Sequence, residues 1–503
     1  MKFKLFFAMV FFTGTSSSAF ANINAVEVWE DFLRRLEPSG STVSVVQNHL
    51  EDRMELNDFV VGYQDSTIGV NFEFNIGQAV LIENSDGSVS ITLPQKFPMT
   101  MKFRDKFVTS ISAIIDIQNM QAYAAGHSNQ INYDYSADQI GLALQSLILE
   151  DARIGSDEVQ FSMLAKMVSG STTTVTSNLR KTTGRSTIED LEISAMLAPK
   201  DADFTASLVS RIKQMTSTSS DQIPEHMSVQ ELDKALQAGL SSSSVINYKS
   251  GEIKMVLHTP DGDFSGSTNS AGASSRTSIS QDGVSVQMDV NGTNFDIYAS
   301  SLPLPFNGSL GSFVYGLNMP LMPKSEEQAF GVLLELNDLT LAEDLWAVFD
   351  PAKILPRDPI SLRIDIGGMV KLLLNFFDSK QFEASTEALD KPINLSTVTL
   401  NSIEANALGA NLSVQGNFEY SNDSRLGEFN EYLMLMGLVT ANLSGANTLI
   451  ESLSRIGIID GQHVLMARSF MGMFAIPMGN DNFETEVRID ADGGVFVNQQ
   501  RLH

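Results

Sequence analysis

The side chains most able to do chemistry are few in this chain, and they are scattered. The chain has no cysteine, which excludes thiolate nucleophiles, disulfides and cysteine-ligated zinc or iron–sulfur centres. No two histidines have the spacing of metal ligands on one helix; they are His49, His127, His226, His258, His463 and His503. We therefore predict no metal site and no cofactor.

Two short segments come close to known functional motifs. Ser210 and Lys213 match the Ser-x-x-Lys signature of acyl-enzyme formation, but its usual partner motifs do not follow in the chain. The segment Asp490-Ala491-Asp492-Gly493 begins like a calcium loop, yet the later oxygen ligands and the closing glutamate are missing. A hairpin turn is the better interpretation there. Gly-x-Ser-x-Gly is also absent, and we assign no catalytic residue.

Trp346 and Arg357 are the weak candidates for contact with a ligand or partner. Trp346 lies in a short apolar segment that resembles a helical turn anchored in a core. Arg357 stands between Pro356 and Asp358, and its guanidinium can grip a carboxylate with two hydrogen bonds. That carboxylate can belong to the protein or to a ligand, and we favour a partner within the protein.

The first 21 residues have the layout of a secretory signal peptide. Lys2 and Lys4 precede an apolar run at residues 5–12, and Ala19-Phe20-Ala21 fits a cleavage site. The run is too short to cross a bilayer as a helix. We expect export to the periplasm, with release from the cell as the alternative, and no integral membrane segment after cleavage.

Composition limits the class of partner. The chain has 60 Asp and Glu against 33 Lys and Arg, a net charge of −27, and it shows no basic patch. Nucleic-acid binding needs such a patch, so we exclude it. With 43% hydrophobic and 18% charged residues, the chain has the composition of a folded globular protein.

Hydrophobic periodicity predicts an α+β protein that is mainly β. Asn24 and Glu27 form a capping box at the start of a helix, and Asn84-Ser85-Asp86-Gly87 is a hairpin signal between two strands. Further amphipathic helices are predicted near residues 228–239, 446–456 and 462–474. The strands read as antiparallel meanders in curved sheets. We divide the chain into a signal peptide (1–21), an N-terminal half (22–225) and a C-terminal half (226–503).

Several polar segments are predicted to lie outside the regular strands. Residues 169–176 and 180–187 read as exposed Ser/Thr-rich segments, and residues 214–224 as a loop. Residues 264–276 read as an exposed loop or a pair of weak edge strands. Asn291-Gly292 reads as a hairpin turn.

The two halves share a weak internal similarity, since each opens with a capped helix and continues through hairpins to a proline-bearing segment. An ancient duplication and chance both explain this pattern. The methionines near the C-terminus, including Met466 and Met473, could form an adaptable binding surface. Their helical spacing favours a place in the core.

Three segments together resemble a known family of secreted bacterial proteins, the domain of unknown function 2125 family. They cover residues 28–32 (VWEDF), 345–359 (with LWAVFDP and LPRDP) and 494–502 (GVFVNQQRL). Gln499 stands where the family pattern has glycine. The resemblance covers nearly all of the mature chain. It implies an exported protein and no particular activity.

Three classes of function fit these observations. A non-catalytic periplasmic or envelope-associated protein that binds an apolar ligand or a protein partner is favoured, because no catalytic site is recognisable. A secreted hydrolase with an unrecognised pair of carboxylates is the second. A structural or adhesive surface protein is the third, although the strand pattern has no tandem repeats.

Overall fold

The structure is a computed structural model that describes residues 23–65, 69–103, 110–149, 152–225, 232–375, 393–420, 435–491 and 493–502. It is mainly β, with 67% of residues in strands and 12% in helices, and its pairings form a large antiparallel sheet. This confirms the predicted fold class at that level. The predicted signal peptide lies outside the described residues.

The helices are short and few among the described residues. Their bounds are α1 Ala25–Leu36, α2 Leu232–Gln237, α3 Glu343–Phe349, α4 Ala446–Arg455 and α5 Gly461–Phe474, with a 3₁₀ turn at Glu37–Ser39. The predicted helices near 446–456 and 462–474 are confirmed. The second half of the predicted helix near 228–239 is confirmed as well. Its predicted cap, at residues 228–231, lies outside the described residues.

The described residues fall into two compact units, one that reaches residue 274 and includes 298–301, and one that comprises residues 275–297 and those from 302 onward. The predicted division of the chain into residues 22–225 and 226–503 differs from the division into these two units. Their boundary adjoins residues 226–231, which lie outside the described part, so it stays a prediction.

The strands of the first unit pair with antiparallel neighbours. Their bounds are β1 Ser41–His49, β2 Arg53–Asp65, β3 Val70–Glu83, β4 Val89–Thr92, β5 Lys96–Phe103, β6 Ser110–Gln118, β7 Gln121–His127, β8 Gln130–Leu149, β9 Ala152–Ile154, β10 Val159–Val175, β11 Leu179–Leu197, β12 Thr205–Pro224, β13 Ser241–Tyr248, β14 Ser250–Thr259 and β15 Gly262–Ser270. Strand β16, Gly272–Ser280, crosses the boundary between the units.

Strands of the second unit also run antiparallel to their neighbours, from β17 through β23 and then to β25. Their bounds are β17 Gly283–Ala299, β18 Phe306–Met319, β19 Gln328–Leu341, β20 Ile360–Leu372, β21 Ile393–Ala407, β22 Ala410–Tyr420, β23 Leu435–Ser444, β24 Ile476–Gly479, β25 Asn482–Ile489, β26 Val495–Val497 and β27 Gln500–Arg501. The predicted closing hairpin is confirmed, since the Gly493 N–H donates to the Asp490 carbonyl at 2.9 Å.

Three predictions about polar segments are wrong. Residues 169–176 and 180–187 lie almost entirely within the paired strands β10 and β11, and residues 214–224 lie within β12. Residues 264–276 contribute to β15 and β16, so of the two alternatives predicted there the pair of strands is confirmed over the loop. Cross-strand hydroxyl pairs such as Ser169–Thr187, 2.6 Å apart, explain how polar residues hold these strands together.

The predicted turn at Asn291-Gly292 is also wrong, because both residues lie inside β17. Gly292 has a φ of 56°, a left-handed value that glycine adopts without strain. Asn291 still pairs with Ser312 and residue 293 with Leu310 across the strand pair, so β17 continues through the glycine. The dipeptide bends a strand rather than ending one.

Helix α1 begins where the sequence predicts and covers the core of the first unit. The Asn24 side chain accepts from the Glu27 N–H at 2.9 Å, and the Glu27 carboxylate accepts from the Asn24 N–H at 3.0 Å. Trp29 is buried on this helix, stacked 5.4 Å from Phe32 and edge-on to Phe59. The helix therefore closes the apolar side of the first strands.

A buried charge fixes α1 to the strands beneath it. Asp31 is fully buried and accepts from Arg35 Nε at 2.8 Å and from the Tyr133 hydroxyl at 2.5 Å. The Arg35 guanidinium lies 4.0 Å from the centre of the Tyr133 ring. Burial raises the pKa of Tyr133 well above its ordinary value, so its hydroxyl stays protonated and donates.

We expect Asp31→Ala to lower the free energy of unfolding of the first unit by about 3–5 kcal/mol, because it leaves Arg35 buried without its counter-charge. The matched control is Glu30→Ala on the same helix, whose exposed carboxylate lies 4.0 Å from Arg34 and should contribute less than about 1 kcal/mol. Urea unfolding followed by tryptophan fluorescence compares them. Equal effects of the two substitutions on the free energy of unfolding would contradict the role assigned to Asp31 in fixing α1.

Candidate functional site

Arg357 and Trp346 contact each other in the second unit. Arg357 Nη1 donates to Asp350 Oδ2 at 2.6 Å, and the guanidinium lies 4.4 Å from the centre of the buried Trp346 ring. Asp350 is fully buried, and it also accepts from the N–H groups of Ile354 and Leu355, each at 2.9 Å. The prediction of an internal carboxylate partner for Arg357 is confirmed.

The remaining donors of Arg357 also face the protein. Nη1 donates to the Leu355 carbonyl at 3.0 Å and Nη2 to the Asp350 carbonyl at 3.1 Å, while Nε lies 3.7 Å from a Glu343 carboxylate oxygen. These bonds close the loop that follows α3. A role for Arg357 and Trp346 in contacting a ligand stays a prediction.

One face of the second unit's sheet is apolar. Register aligns apolar side chains in rows across eight consecutive strands, β17–β23 and β25. One row consists of Val290, Phe313, Leu336, Leu362, Ala405, Leu412, Leu443 and Phe483. Because residues two apart share a face, two further rows lie beside it. We call these three rows the apolar face.

The two neighbouring rows are almost as apolar as the first. They consist of Met288, Tyr315, Leu334, Ile364, Ile403, Val414, Ala441 and Thr485, and of Val286, Leu317, Val332, Ile366, Leu400, Gly416, Val439 and Val487. All these side chains are half-buried or exposed, and Met288 and Val332 are 41% and 39% exposed. The apolar face therefore has no sealed core.

Glycines beside this face allow aromatic rings to lie close to the backbone. A Cβ on Gly368 would meet Phe330 Cε1 at 2.7 Å, and one on Gly437 would meet Phe418 Cδ1 at 2.7 Å. Each glycine lies opposite its phenylalanine on the neighbouring strand. Each ring therefore lies over the backbone of the neighbouring strand, in space that a side chain at the glycine would otherwise occupy.

The opposite face of the same strands is polar. One row there contains Glu335, Arg363, Glu404, Ser413, Asn442 and Glu484, and its members help to line a trough of about 820 Å³. Arg363 pairs with Glu335, and it also bonds Asp365 at 2.7 Å and Ser402 at 2.9 Å. The sheet thus separates a charged face from an uncharged one.

The sheet of the first unit shows the same separation beyond the part that α1 covers. Phe161, Ala195, Leu208 and Met255 lie in one row across β10, β11, β12 and β14. Phe161 and Met255 are exposed. Apolar alternation along a strand shows which of its sides is apolar, but not whether another element covers that side.

The expectation that the C-terminal methionine cluster is core is wrong for helix α5. Leu465 and Met473 are each 69% exposed, Phe470 is 58% exposed, and Met466 is also exposed. Val464, Ala467, Met471 and Phe474 form the half-buried side of the helix. Helical spacing therefore describes two apolar sides of α5, one turned inward and the other outward.

Within the described ranges, no group of three or more His, Asp or Glu is placed to hold a metal ion. His258 bonds Asp263 at 2.9 Å, and His463 bonds Asp460 at 2.8 Å. None of the described helices is long and apolar enough to cross a membrane.

No protein-family model matches the chain, and no curated protein matches it. The resemblance to the domain of unknown function 2125 family stays a prediction.

The stability of the Asp350 loop should depend on pH. Burial raises the pKa of Asp350, but hydrogen bonds from Ile354, Arg357 and Leu355 together outweigh it and hold the pKa below its ordinary 3.8. The carboxylate therefore stabilises the folded loop above about pH 4, and this contribution is lost as the pH falls through the lowered pKa.

We accordingly expect Asp350→Asn to be less stable than the parent at pH 7, with the difference shrinking below pH 3.8. Thermal unfolding followed by the fluorescence of Trp346, which contacts Arg357, measures this. Asp358→Asn is the control, since it changes a nearby carboxylate that receives none of these bonds. A difference between parent and Asp350→Asn that is constant from pH 7 to pH 2.5 would contradict the assignment.

Proposed function

We propose that this chain is an exported, non-catalytic binding protein whose apolar face holds the acyl chains of a lipid. The observation that carries the proposal is the extent of half-buried and exposed apolar side chains on one side of the second unit's sheet. A sheet with one apolar face normally buries it against another layer. Large exposed apolar patches are typical of binding sites.

The dimensions and chemistry of the apolar face support an acyl chain as the occupant. Eight strands at their usual spacing extend about 34 Å, and three rows extend about 14 Å along the strands. One leaflet of a bilayer core is about 15 Å thick, so whole acyl chains fit on this surface. The face is mostly aliphatic and has no charged side chain, whereas protein interfaces concentrate Trp, Tyr and Arg.

The cellular part of the proposal rests on the sequence. Residues 1–21 fit a signal peptide, and the periplasm is the compartment to which it would lead. We further propose that the sheets curve around the apolar face, which would shelter a bound chain from water. The weak similarity between the two halves of the sequence is still explained either by a duplication or by chance.

We expect Ala405→Trp to weaken lipid binding about tenfold or more, because the indole would occupy part of the apolar face, in an outer row at its fifth strand. The matched control is Glu404→Trp, which adds an indole at the next position on the same strand, on the polar face. Delipidated protein is titrated with a fluorescent fatty acid, and displacement by unlabelled phospholipid is measured. Organic extraction of the purified parent, followed by mass spectrometry, should yield co-purified lipid.

Two outcomes would overturn this proposal. One is parent protein that carries no lipid and does not bind the fatty acid. The other is equal weakening by Ala405→Trp and Glu404→Trp with both proteins folded by circular dichroism, since the binding site would then not lie on the apolar face.

A further inference from the structure

The outward side of helix α5 has an unusual surface for this chain. Leu465, Met466, Phe470 and Met473 are all exposed, and Ile476 and Met478 continue the exposed apolar surface into β24. The inward side of α5 is apolar as well, so the helix is apolar around most of its circumference. Helices of this kind are normally enclosed on all sides. The outward side therefore calls for a partner.

The charged residues in and around α5 limit the kind of partner that can bind there. Residues 461–479 contain no Asp or Glu, although the chain carries 60 of them and a net charge of −27. The ionisable side chains of this segment are His463 and Arg468, which pair with Asp460 and Glu451. An apolar segment that has no acidic residue and whose ionisable side chains are paired suits a partner that presents hydrocarbon and has no net charge.

Size disfavours a second copy of the chain as the occupant. A helix of 14 residues is about 21 Å long and about 10 Å wide, so its outer side covers some 200 Å². Stable protein interfaces bury about 800 Å² on each partner. Self-repulsion between two acidic chains opposes association further.

A lipid surface has no such area requirement, because it deforms around the side chains that enter it. Helices that lie in the interface insert Leu, Phe and similar side chains to a depth of about 5–10 Å. Methionine side chains are flexible and adapt to such an irregular surface. The outward side of α5 supplies one Leu, one Phe and two Met over three turns.

We propose that α5 docks the protein on an uncharged lipid bilayer surface through Leu465, Met466, Phe470 and Met473. This rests on the proposed function, since a protein that carries acyl chains must meet the membrane that supplies or receives them. Docking is reversible, because one short helix buries too few side chains for a permanent anchor. No residue of the apolar face is needed for it.

The test is flotation of the delipidated full-length mature protein with phosphatidylcholine vesicles. The parent should float with the vesicles, and Leu465→Asp and Phe470→Asp should each weaken binding roughly tenfold, since each removes an inserted apolar side chain and adds a charge. Gln415→Asp is the control, because it adds the same charge at an exposed position on the polar face of β22, away from the four apolar side chains of α5. It should bind like the parent. Vesicles with added phosphatidylglycerol should bind more weakly, given the acidic chain.

Three results would overturn the proposal. The first is failure of the parent to float, and the second is equal binding by the parent and the Asp variants. The third is a parent that elutes as a dimer in size-exclusion chromatography while Leu465→Asp elutes as a monomer. Far-ultraviolet circular dichroism shows whether each variant is folded, and Met473→Gln offers a milder change if an Asp variant is not. Fatty-acid binding is measured on the same samples. Loss of flotation with normal fatty-acid binding would show that docking, and not the lipid site, is affected.

Discussion

Strand register is the constraint on which the rest of this structure depends. Val332 lies opposite Ile366, which lies opposite Leu400, and the same alignment continues through the following strands. A slip of one residue in any pairing would move that strand's apolar side chains to the charged face. The bulge in β21 between residues 400 and 403 is matched on both sides, so it shifts the backbone without breaking the rows. Separation of the two faces therefore requires every pairing to be correct.

The two units treat their apolar sides differently. In the first unit, α1 covers part of the sheet, and the Asp31–Arg35–Tyr133 contacts hold the helix in place. In the second unit, α3 is fixed by Asp350 and Arg357 to its own loop. The long apolar rows there are left half-exposed. Burying a charged group is a costly way to fix a helix. The structure does so in both units, and in the first unit the helix that is fixed lies over the core. An open face without such a cover is the expected arrangement for a surface that exchanges a ligand.

Local sequence signals predicted the elements whose stabilising contacts are local. The Asn24–Glu27 capping box and the turn at residues 84–87 depend on neighbours within a few positions, and both are as predicted. The Ser/Thr-rich strands could not be predicted in this way. Thr173 bonds Asn132 at 2.8 Å from 41 positions away, and the strand exists because its partners lie on both sides. Composition typical of loops is compatible with a strand whose hydroxyls are paired across the sheet.

The candidate sites could be predicted only in part. The spacing of apolar residues in a sequence indicates which side of an element is apolar, but not what covers that side. The same spacing placed Met466 and Met473 on one side of a helix and suggested a core, yet both are exposed. Arg357 was the easier case, since a guanidinium seven residues from a carboxylate in a proline-bounded loop has a partner within reach. A half-buried cation requires a nearby counter-charge, whereas an aliphatic side chain has no directional requirement. Whether an apolar row is core or binding surface is therefore decided by the rest of the chain, after every other element has been placed.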